Sequence, residues 1–184
     1  MGLSRVLVFA FVHVAAHALT PTTISSNSLA GALVVNLDVD RTRWEHASAQ
    51  LSASATIKGT PQGFSRISGT NAASLDLPRL VADGSLTPDA YNDIIEQDHV
   101  VTGVELTLGA LGCLESHVKA WRSVVATGAP MLILEDDVML ASGFDAGLVE
   151  ALAHLPGDFG LLYLANVIGA VVEPHLQPYD VSKT

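Results

Sequence analysis

The stretch Met131-Leu-Ile-Leu-Glu-Asp-Asp137 places four consecutive apolar residues directly before three acidic ones. A short, continuous apolar run of this kind is typical of a strand that is buried on both faces, as in parallel sheets. The carboxylates of Glu135, Asp136 and Asp137 would then follow the carboxyl end of that strand, where ligands collect in open α/β sheets. Because side chains alternate along a strand, we expect Glu135 and Asp137 to share one side while Asp136 faces another.

Three consecutive carboxylates at the end of a buried strand repel one another unless a positive charge compensates them. Hard oxygen ligands of this type suit Mn²⁺ or Mg²⁺, which commonly keep water and a substrate diphosphate in their remaining positions. We therefore predict that Glu135 and Asp137 are metal ligands. The alternative is a solvated acidic turn that binds nothing.

Strands and helices alternate outward from this stretch. The predicted strands are Ala32–Leu37, Phe64–Ile67, Met131–Leu134 and Leu161–Leu164. The predicted helices run from Trp44 to Ala55, from Pro88 to Ile95 behind a Thr87 cap, and from Leu111 to Val125 before Gly128. This alternation predicts an α/β fold with a mainly parallel sheet that helices cover on both faces.

Length and composition restrict the class of protein. The chain has 184 residues, of which 49% are hydrophobic, which is enough for one folded domain with a real core. It carries 9 Lys and Arg against 19 Asp and Glu, a net charge of −10, which argues against nucleic acid as a partner. The single cysteine, Cys113, excludes an intrachain disulfide, and no spacing in the sequence indicates a structural zinc module.

The two ends of the chain have their own character. Arg5 precedes an apolar segment, Val6–Ala18, whose last three residues fit a small-x-small cleavage pattern. The segment is shorter than the roughly 20 residues that a membrane-spanning helix needs, so we expect no stable membrane span. We predict a signal peptide over residues 1–18, a spacer over 19–30 and one domain over 31–184. Secretory entry implies the endoplasmic reticulum or Golgi lumen, or secretion, and the proline-containing tail suggests a domain that is incomplete at its C-terminus.

Three ordered segments carry a resemblance to glycosyltransferase family 25, which includes lipooligosaccharide and procollagen galactosyltransferases. They are Val34-Val-Asn-Leu-Asp38 with Arg41-x-Arg43-Trp44, Leu106-Thr-Leu-Gly-Ala-Leu-Gly-Cys-Leu-Glu-Ser-His117 with Trp121-Arg122, and Leu132-Ile-Leu-Glu-Asp-Asp-Val138. The resemblance implies a GT-A-like fold and an inverting, metal-assisted transfer of a hexose. The donor would most commonly be UDP-galactose, and the acceptor a protein-linked or glycan hydroxyl.

The resemblance also implies which residues meet the donor. Those expected near the nucleotide or its phosphates are Asn36, Asp38, Arg41, Arg43, Ser116, His117 and Asp136. An arginine among them would bind a phosphate or the uracil edge, although a surface role is equally open for each. Ser116 and His117 are expected at the start of the long helix, where backbone amides favour an anion, and His117 has a packing or capping role as its alternative. Cys113 and the two tryptophans are expected to pack.

Departures from the family pattern leave the activity open. Glu115 stands where the family has an apolar residue, and Ala110 where it often has Glu. An inverting reaction also needs a general base near the acceptor hydroxyl, and the sequence identifies none. The main alternative is therefore a truncated or non-catalytic relative that binds a nucleotide sugar. A third hypothesis is a Mg²⁺-dependent phosphoryl-transfer pocket with phosphorylation at Asp136 or Asp137.

Overall fold

The computed structural model describes residues 29–95, 107–155, 159–162 and 164. Within them lies a parallel sheet of three strands: β1 (Gly31–Asn36), β2 (Phe64–Ser68) and β3 (Met131–Glu135). The helices are α1 (Arg41–Ala53), α2 (Ala55–Lys58), α3 (Leu77–Ala82), α4 (Pro88–Ile95), α5 (Leu108–Thr127) and α6 (Phe144–Ala153). The predicted α/β fold, with a parallel sheet and flanking helices, is confirmed.

The order of the strands is β2-β1-β3, so β1 is central. Ala32 lies opposite Phe64 of β2 and opposite Leu132 of β3. The chain leaves β1 toward one side to form β2, then crosses to the other side to form β3. The carboxyl ends of β1 and β3 therefore frame a topological switch point, which is where open α/β sheets bind ligands.

Apolar side chains cover both faces of the sheet. On one face, Val34 and Leu134 pack with Leu51 of α1 and Ile57 of α2. On the other face, the cluster consists of Ala30, Leu33, Met131 and Ile133 with Ala120 and Val124 of α5. The continuous apolar runs of β1 and β3 follow from this double coverage, because both faces of each strand are packed and, within these strands, only Val35 and Glu135 are partly exposed.

The tryptophans and the caps agree with the sequence analysis. Trp44 packs against the first of these clusters and Trp121 against the second, as expected. The Thr87 hydroxyl accepts a hydrogen bond from the backbone N–H of Ala90 at 3.2 Å, which confirms the predicted cap of α4. Gly128 ends α5 with φ +68°, a left-handed conformation that glycine adopts without strain.

Three expectations differ from the structure or fall outside it. No strand forms at Leu161, Leu162 or Leu164 in the part of the chain described here; Leu164 packs against the apolar clusters beside α6 without joining the sheet. The predicted signal peptide and the tail from residue 165 lie outside the described residues. Among the helices that are described, none is both long and apolar enough to cross a membrane.

Candidate active site

Asn36 joins the two strand ends at the switch point. It is the last residue of β1 and is only 2% exposed. Its Nδ2 donates to Oδ2 of Asp136 at 2.7 Å and to the backbone carbonyl of Asp40 at 2.9 Å, while its Oδ1 accepts from Arg66 at 3.3 Å. All the hydrogen-bonding groups of this buried amide are thus occupied, so Asn36 fixes the Asp136 carboxylate rather than reaching outward.

Arg43, in the first turn of α1, bridges two of the three acids. Its Nε lies 3.0 Å from Oδ1 of Asp136 and its Nη2 lies 2.9 Å from Oδ2 of Asp137. The prediction that Asp136 faces away from Asp137 is therefore wrong. Strand geometry ends at Glu135 and the chain turns at the next two residues, so the alternation of a strand does not extend to them.

Asp137 retains an unsatisfied oxygen. Its Oδ1 is buried and has no hydrogen-bond partner among the described residues. Burial raises the pKa of this carboxyl above its ordinary value; the Arg43 guanidinium opposes that rise, and the Glu135 and Asp136 carboxylates add to it. A buried anionic oxygen without a donor is energetically costly, and a divalent cation with oxygen ligands would satisfy it. The chemistry of this carboxylate therefore fits the metal that the sequence predicts.

A cleft opens at the carboxyl end of β1, between residues of α1 and β2, and Asn36 connects it to the Asp136 carboxylate. Its volume is about 490 Å³ and its lining consists of Asn36, Asp38, Arg41, Trp44, Glu45 and Arg66. Asp38 is held on the rim, because Arg66 Nη1 lies 2.7 Å from its Oδ1 and the Ser68 hydroxyl donates to its Oδ2 at 2.9 Å. The hydrogen bonds from Arg66 and then Ser68 lower the pKa of the Asp38 carboxyl. Arg41 is exposed on the same cleft, where its charge is available to an anion.

Glu135 contacts residues of α5 rather than Arg43 and Asn36. Its Oε1 lies 3.1 Å from Nε2 of His117 and accepts a weak hydrogen bond from the Cys113 thiol at 3.7 Å. The His117 imidazole is 5% exposed and its ring lies 6.3 Å from that of Trp121. Cys113 is exposed, so the expectation that it packs is wrong. Although the residue is exposed, partial desolvation of its thiol and the nearby Glu135 charge raise the pKa of Cys113 to about 11, which disfavours a role as nucleophile.

Ser116 has its hydroxyl fully engaged inside the protein. The hydroxyl donates to the Gly112 carbonyl at 2.7 Å and accepts from the Thr70 backbone N–H at 2.7 Å. Because α5 begins at Leu108 behind its Thr107 cap, Ser116 and His117 lie roughly two turns inside the helix. Their expected position at the helix N-terminus is therefore wrong, since their own amides already bond within the helix.

Comparison with known proteins identifies the family. The model of glycosyltransferase family 25 (LPS biosynthesis protein) matches residues 30–176, most of the chain. The chain belongs to glycosyltransferase family 25. The family that the three sequence segments indicated is thus confirmed, and the cleft and the carboxylates described above lie within the matched region.

One relative within glycosyltransferase family 25 comes from Homo sapiens and bears the name "Inactive glycosyltransferase 25 family member 3". It is 36% identical over 69 residues, a match that covers 35% of this chain and 12% of the relative. The chain therefore spans only a small part of the length of that protein. No solved structure shows a significant match.

Two features of this family 25 site were missed in the sequence. Arg66 lies in β2, outside the three family segments, and only the pairing of β2 with β1 brings it to Asn36 and Asp38. The grouping of Cys113 with His117 and Glu135 was also missed, although the i, i+4 spacing on one predicted helix was a readable signal. Its third member is 18 residues further along the chain, beyond the reach of local spacing.

Proposed function

We propose that this chain is a glycosyltransferase whose donor site combines the cleft at the carboxyl end of β1 with the carboxylates that follow β3. The donor is a nucleotide-activated hexose, in the first instance UDP-galactose, and the acceptor is a hydroxyl of a protein-linked sugar or glycan. Transfer occurs with inversion at the anomeric carbon. The observation that carries the proposal is the buried Oδ1 of Asp137 at the switch point, for which the described residues provide no hydrogen-bond partner, in a chain that belongs to glycosyltransferase family 25.

We assign cation binding to two of the carboxylates. Asp137 through its Oδ1, and Glu135 through the oxygen that does not face Cys113, would hold Mn²⁺ or Mg²⁺. When bound, the cation stabilises the negative charge that grows on the leaving diphosphate. Asn36 and Arg43 keep Asp136 in place next to this position, so the carboxylates need little rearrangement.

We assign donor binding to one of the arginines, Arg41. Arg41 is exposed on the cleft and is available to bind a phosphate or the uracil edge. Arg66 is already engaged by Asp38 and by Asn36, and it therefore positions the rim of the cleft. Ser116 and His117 are too far inside α5 to present helix amides, so we assign them to the support of the site. None of the described residues is assigned as the general base.

A second function has its own support. Arg43 already forms ion pairs with both Asp136 and Asp137 and compensates part of their charge, and the human relative carries the word "inactive" in its name. A non-catalytic relative would keep the cleft and bind the nucleotide sugar without transferring it. The two proposals share the donor site and differ only in turnover.

The test is titration calorimetry of UDP-galactose into the full chain, with Mn²⁺ or with EDTA, followed by an assay for released UDP. We expect binding that requires Mn²⁺ and is lost in Asp137→Asn. Asp93→Asn is the matched control, because Asp93 is exposed on α4, remote from the cleft. Release of UDP supports the enzyme, and binding without release supports the non-catalytic relative. Absence of binding to UDP-galactose and other UDP-hexoses overturns both.

A further inference from the structure

Three side chains of types that bind metals lie together where α5 packs beside the end of β3. The Cys113 thiol, the His117 imidazole and a Glu135 carboxylate oxygen place one ligand atom each within 4.8 Å of the others. Asp137, which the proposed donor site uses, is not a member of this group. The group mixes sulfur, nitrogen and oxygen donors, whereas the donor site offers oxygen alone.

The packing of α5 beside β3 brings these three side chains to the same level of the fold. α5 and β3 are antiparallel neighbours joined by the turn at Gly128–Pro130, and their apolar residues pack in one cluster. From that turn, His117 lies about 11 residues back along a helix and Glu135 about 5 residues forward along a strand. Both paths cover roughly 16 Å, because a helix rises 1.5 Å and a strand 3.3 Å per residue. Cys113, one helical turn from His117, lies on the same face of α5.

Two of the distances match those of a tetrahedral zinc site. Zinc binds sulfur at about 2.3 Å and nitrogen or oxygen at about 2.0 Å, so ligand atoms around one ion lie about 3.2–3.6 Å apart. Glu135 Oε1 lies 3.1 Å from His117 Nε2 and 3.7 Å from Cys113 Sγ. The third pair, Cys113 and His117, has its ligand atoms within 4.8 Å, so an ion would draw these two side chains together by up to about 1 Å.

The charges and the surroundings also suit such an ion. A thiolate and a carboxylate supply two negative charges, which balance a divalent cation, and imidazole is a neutral ligand. His117 is buried against Trp121, which limits its movement, while the exposed Cys113 leaves a path to solvent. Three protein ligands with one open position are the pattern of zinc sites that exchange water or a substrate group.

We propose that Cys113, His117 and Glu135 form a binding site for a thiophilic divalent metal ion of the Zn²⁺ class. The inference does not depend on the glycosyltransferase proposal, since it requires no nucleotide sugar. Glu135 is the residue that the two sites share: Oε1 lies next to Cys113 and His117, and the donor site would use the other oxygen.

Cobalt provides a sulfur-specific readout, because a thiolate bound to Co²⁺ gives a charge-transfer absorption that histidine and carboxylate ligands do not. The full chain, purified without a polyhistidine tag, is titrated with Co²⁺ in the absence of nucleotide. We expect this absorption to saturate at one equivalent and to disappear when Zn²⁺ is added. The histidines His13 and His17 of the N-terminal segment cannot produce it, since they contribute no sulfur.

Cys113 is the single thiol of the chain, so alkylation gives a second, independent measurement. Zn²⁺ is expected to slow its alkylation and Mg²⁺ to leave the rate unchanged. A folded wild-type chain with no charge-transfer absorption and an alkylation rate that Zn²⁺ does not alter overturns the proposal. Both measurements use the wild-type chain, so the test does not depend on whether a variant folds.

Variants then assign the ligands. Cys113→Ser should abolish the absorption, and His117→Gln should lower Co²⁺ affinity by more than about 100-fold, since loss of an outer hydrogen-bond partner alone lowers metal affinity by about 10–100-fold. His154→Gln, at an exposed position after α6, is the matched control and should bind Co²⁺ like the wild type. Asp137→Asn should lose UDP-galactose binding and keep the absorption. An Asp137→Asn chain that loses the absorption overturns the assignment of two separate sites.

Discussion

Arg43 Nη2 lies 2.9 Å from Oδ2 of Asp137, and the same guanidinium contacts Asp136 through Nε. A cationic side chain thus lies where two adjacent carboxylates would otherwise repel. Asp136 is buried and Arg43 is about half exposed, so the pair lies at the boundary between interior and solvent. The arginine and a divalent cation would compensate the same negative charge, and this competition gives the first prediction.

Replacement of Arg43 by Gln should lower the free energy of unfolding by about 1–2 kcal/mol without divalent ions, because hydrogen bonds to charged groups are lost. Mn²⁺ should restore part of this loss, since the cation replaces the missing positive charge. Urea unfolding followed by circular dichroism, with Mn²⁺ or with EDTA, measures both effects. Arg122→Gln, at an exposed position of α5, is the control. Equal effects of Mn²⁺ on the two variants would contradict the competition.

Asn36 supplies the second prediction, because it is buried and its amide donates to both Asp136 and the Asp40 carbonyl. Asn36→Asp removes these donors and sets a carboxylate against that of Asp136. We expect a loss of about 3 kcal/mol at neutral pH, the scale of an uncompensated buried charge. Asn92→Asp, exposed on α4, should change stability by less than about 0.5 kcal/mol. Similar unfolding midpoints for the two variants would show that Asn36 does not hold the strand ends together.

Two glycines of α5 provide a matched pair. A Cβ at Gly112 would lie 3.0 Å from Cβ of Ala72 and 3.1 Å from the Thr70 carbonyl oxygen, whereas one at Gly109 would meet only Thr107 Oγ1 at 3.8 Å. Alanine favours a helix interior by about 1 kcal/mol over glycine. Gly109 lies in the first turn of α5, so Gly109→Ala should stabilise the chain by up to about that amount.

Gly112→Ala should not gain in the same way, because its methyl group forces residues 70–72 away from α5. We expect it to be less stable than Gly109→Ala by about 2 kcal/mol, as is typical of overpacking. Urea unfolding of the two variants side by side gives this difference directly. Equal stabilisation by both substitutions would mean that residues 70–72 move away from the new methyl group at no cost in the free energy of unfolding.

The sequence predicted those parts of the fold that depend on local pattern. The apolar runs before Asn36 and Glu135 identify two strands, and the positions of Thr87 and Gly128 identify helix ends, because strand burial and helix caps act within a few residues. The cleft lies where β1 ends, at the edge of the sheet where α/β folds bind ligands. Local pattern thus indicated where to look for a candidate site.

Contacts across the sheet were not readable in the same way. Asn36 and Asp136 are 100 residues apart, and their hydrogen bond follows from the register of β1 with β3. The partners of Glu135, Cys113 and His117, were also missed, because they lie on α5 and meet Glu135 only through the packing of that helix against the sheet. Such pairings depend on where the chain turns, which single residues do not reveal.

Asp145 of α6 supplies the final prediction, because its carboxylate caps another helix. Its Oδ2 accepts from the Ala55 N–H at 3.0 Å, its Oδ1 accepts from the Thr56 N–H at 3.3 Å, and the Ser54 hydroxyl also donates to it. These groups form the N-terminus of α2, so Asp145→Ala should lower stability by about 1 kcal/mol at neutral pH, the usual scale of a cap. Glu150→Ala, exposed on the same helix, is the control.

The stabilisation by Asp145 should depend on pH in a defined direction. Hydrogen bonds, first of all from Ser54, lower the pKa of this carboxyl below its ordinary value of 3.8, so near and below that pH the unfolded chain binds the proton more readily than the folded chain. The difference between wild type and Asp145→Ala should therefore be constant above about pH 5 and should shrink as pH falls through the folded-state pKa. Urea midpoints of wild type, Asp145→Ala and Glu150→Ala at about pH 7, 5 and 3 measure it. A difference that grows on acidification would show that the protonated carboxyl, rather than the carboxylate, caps α2.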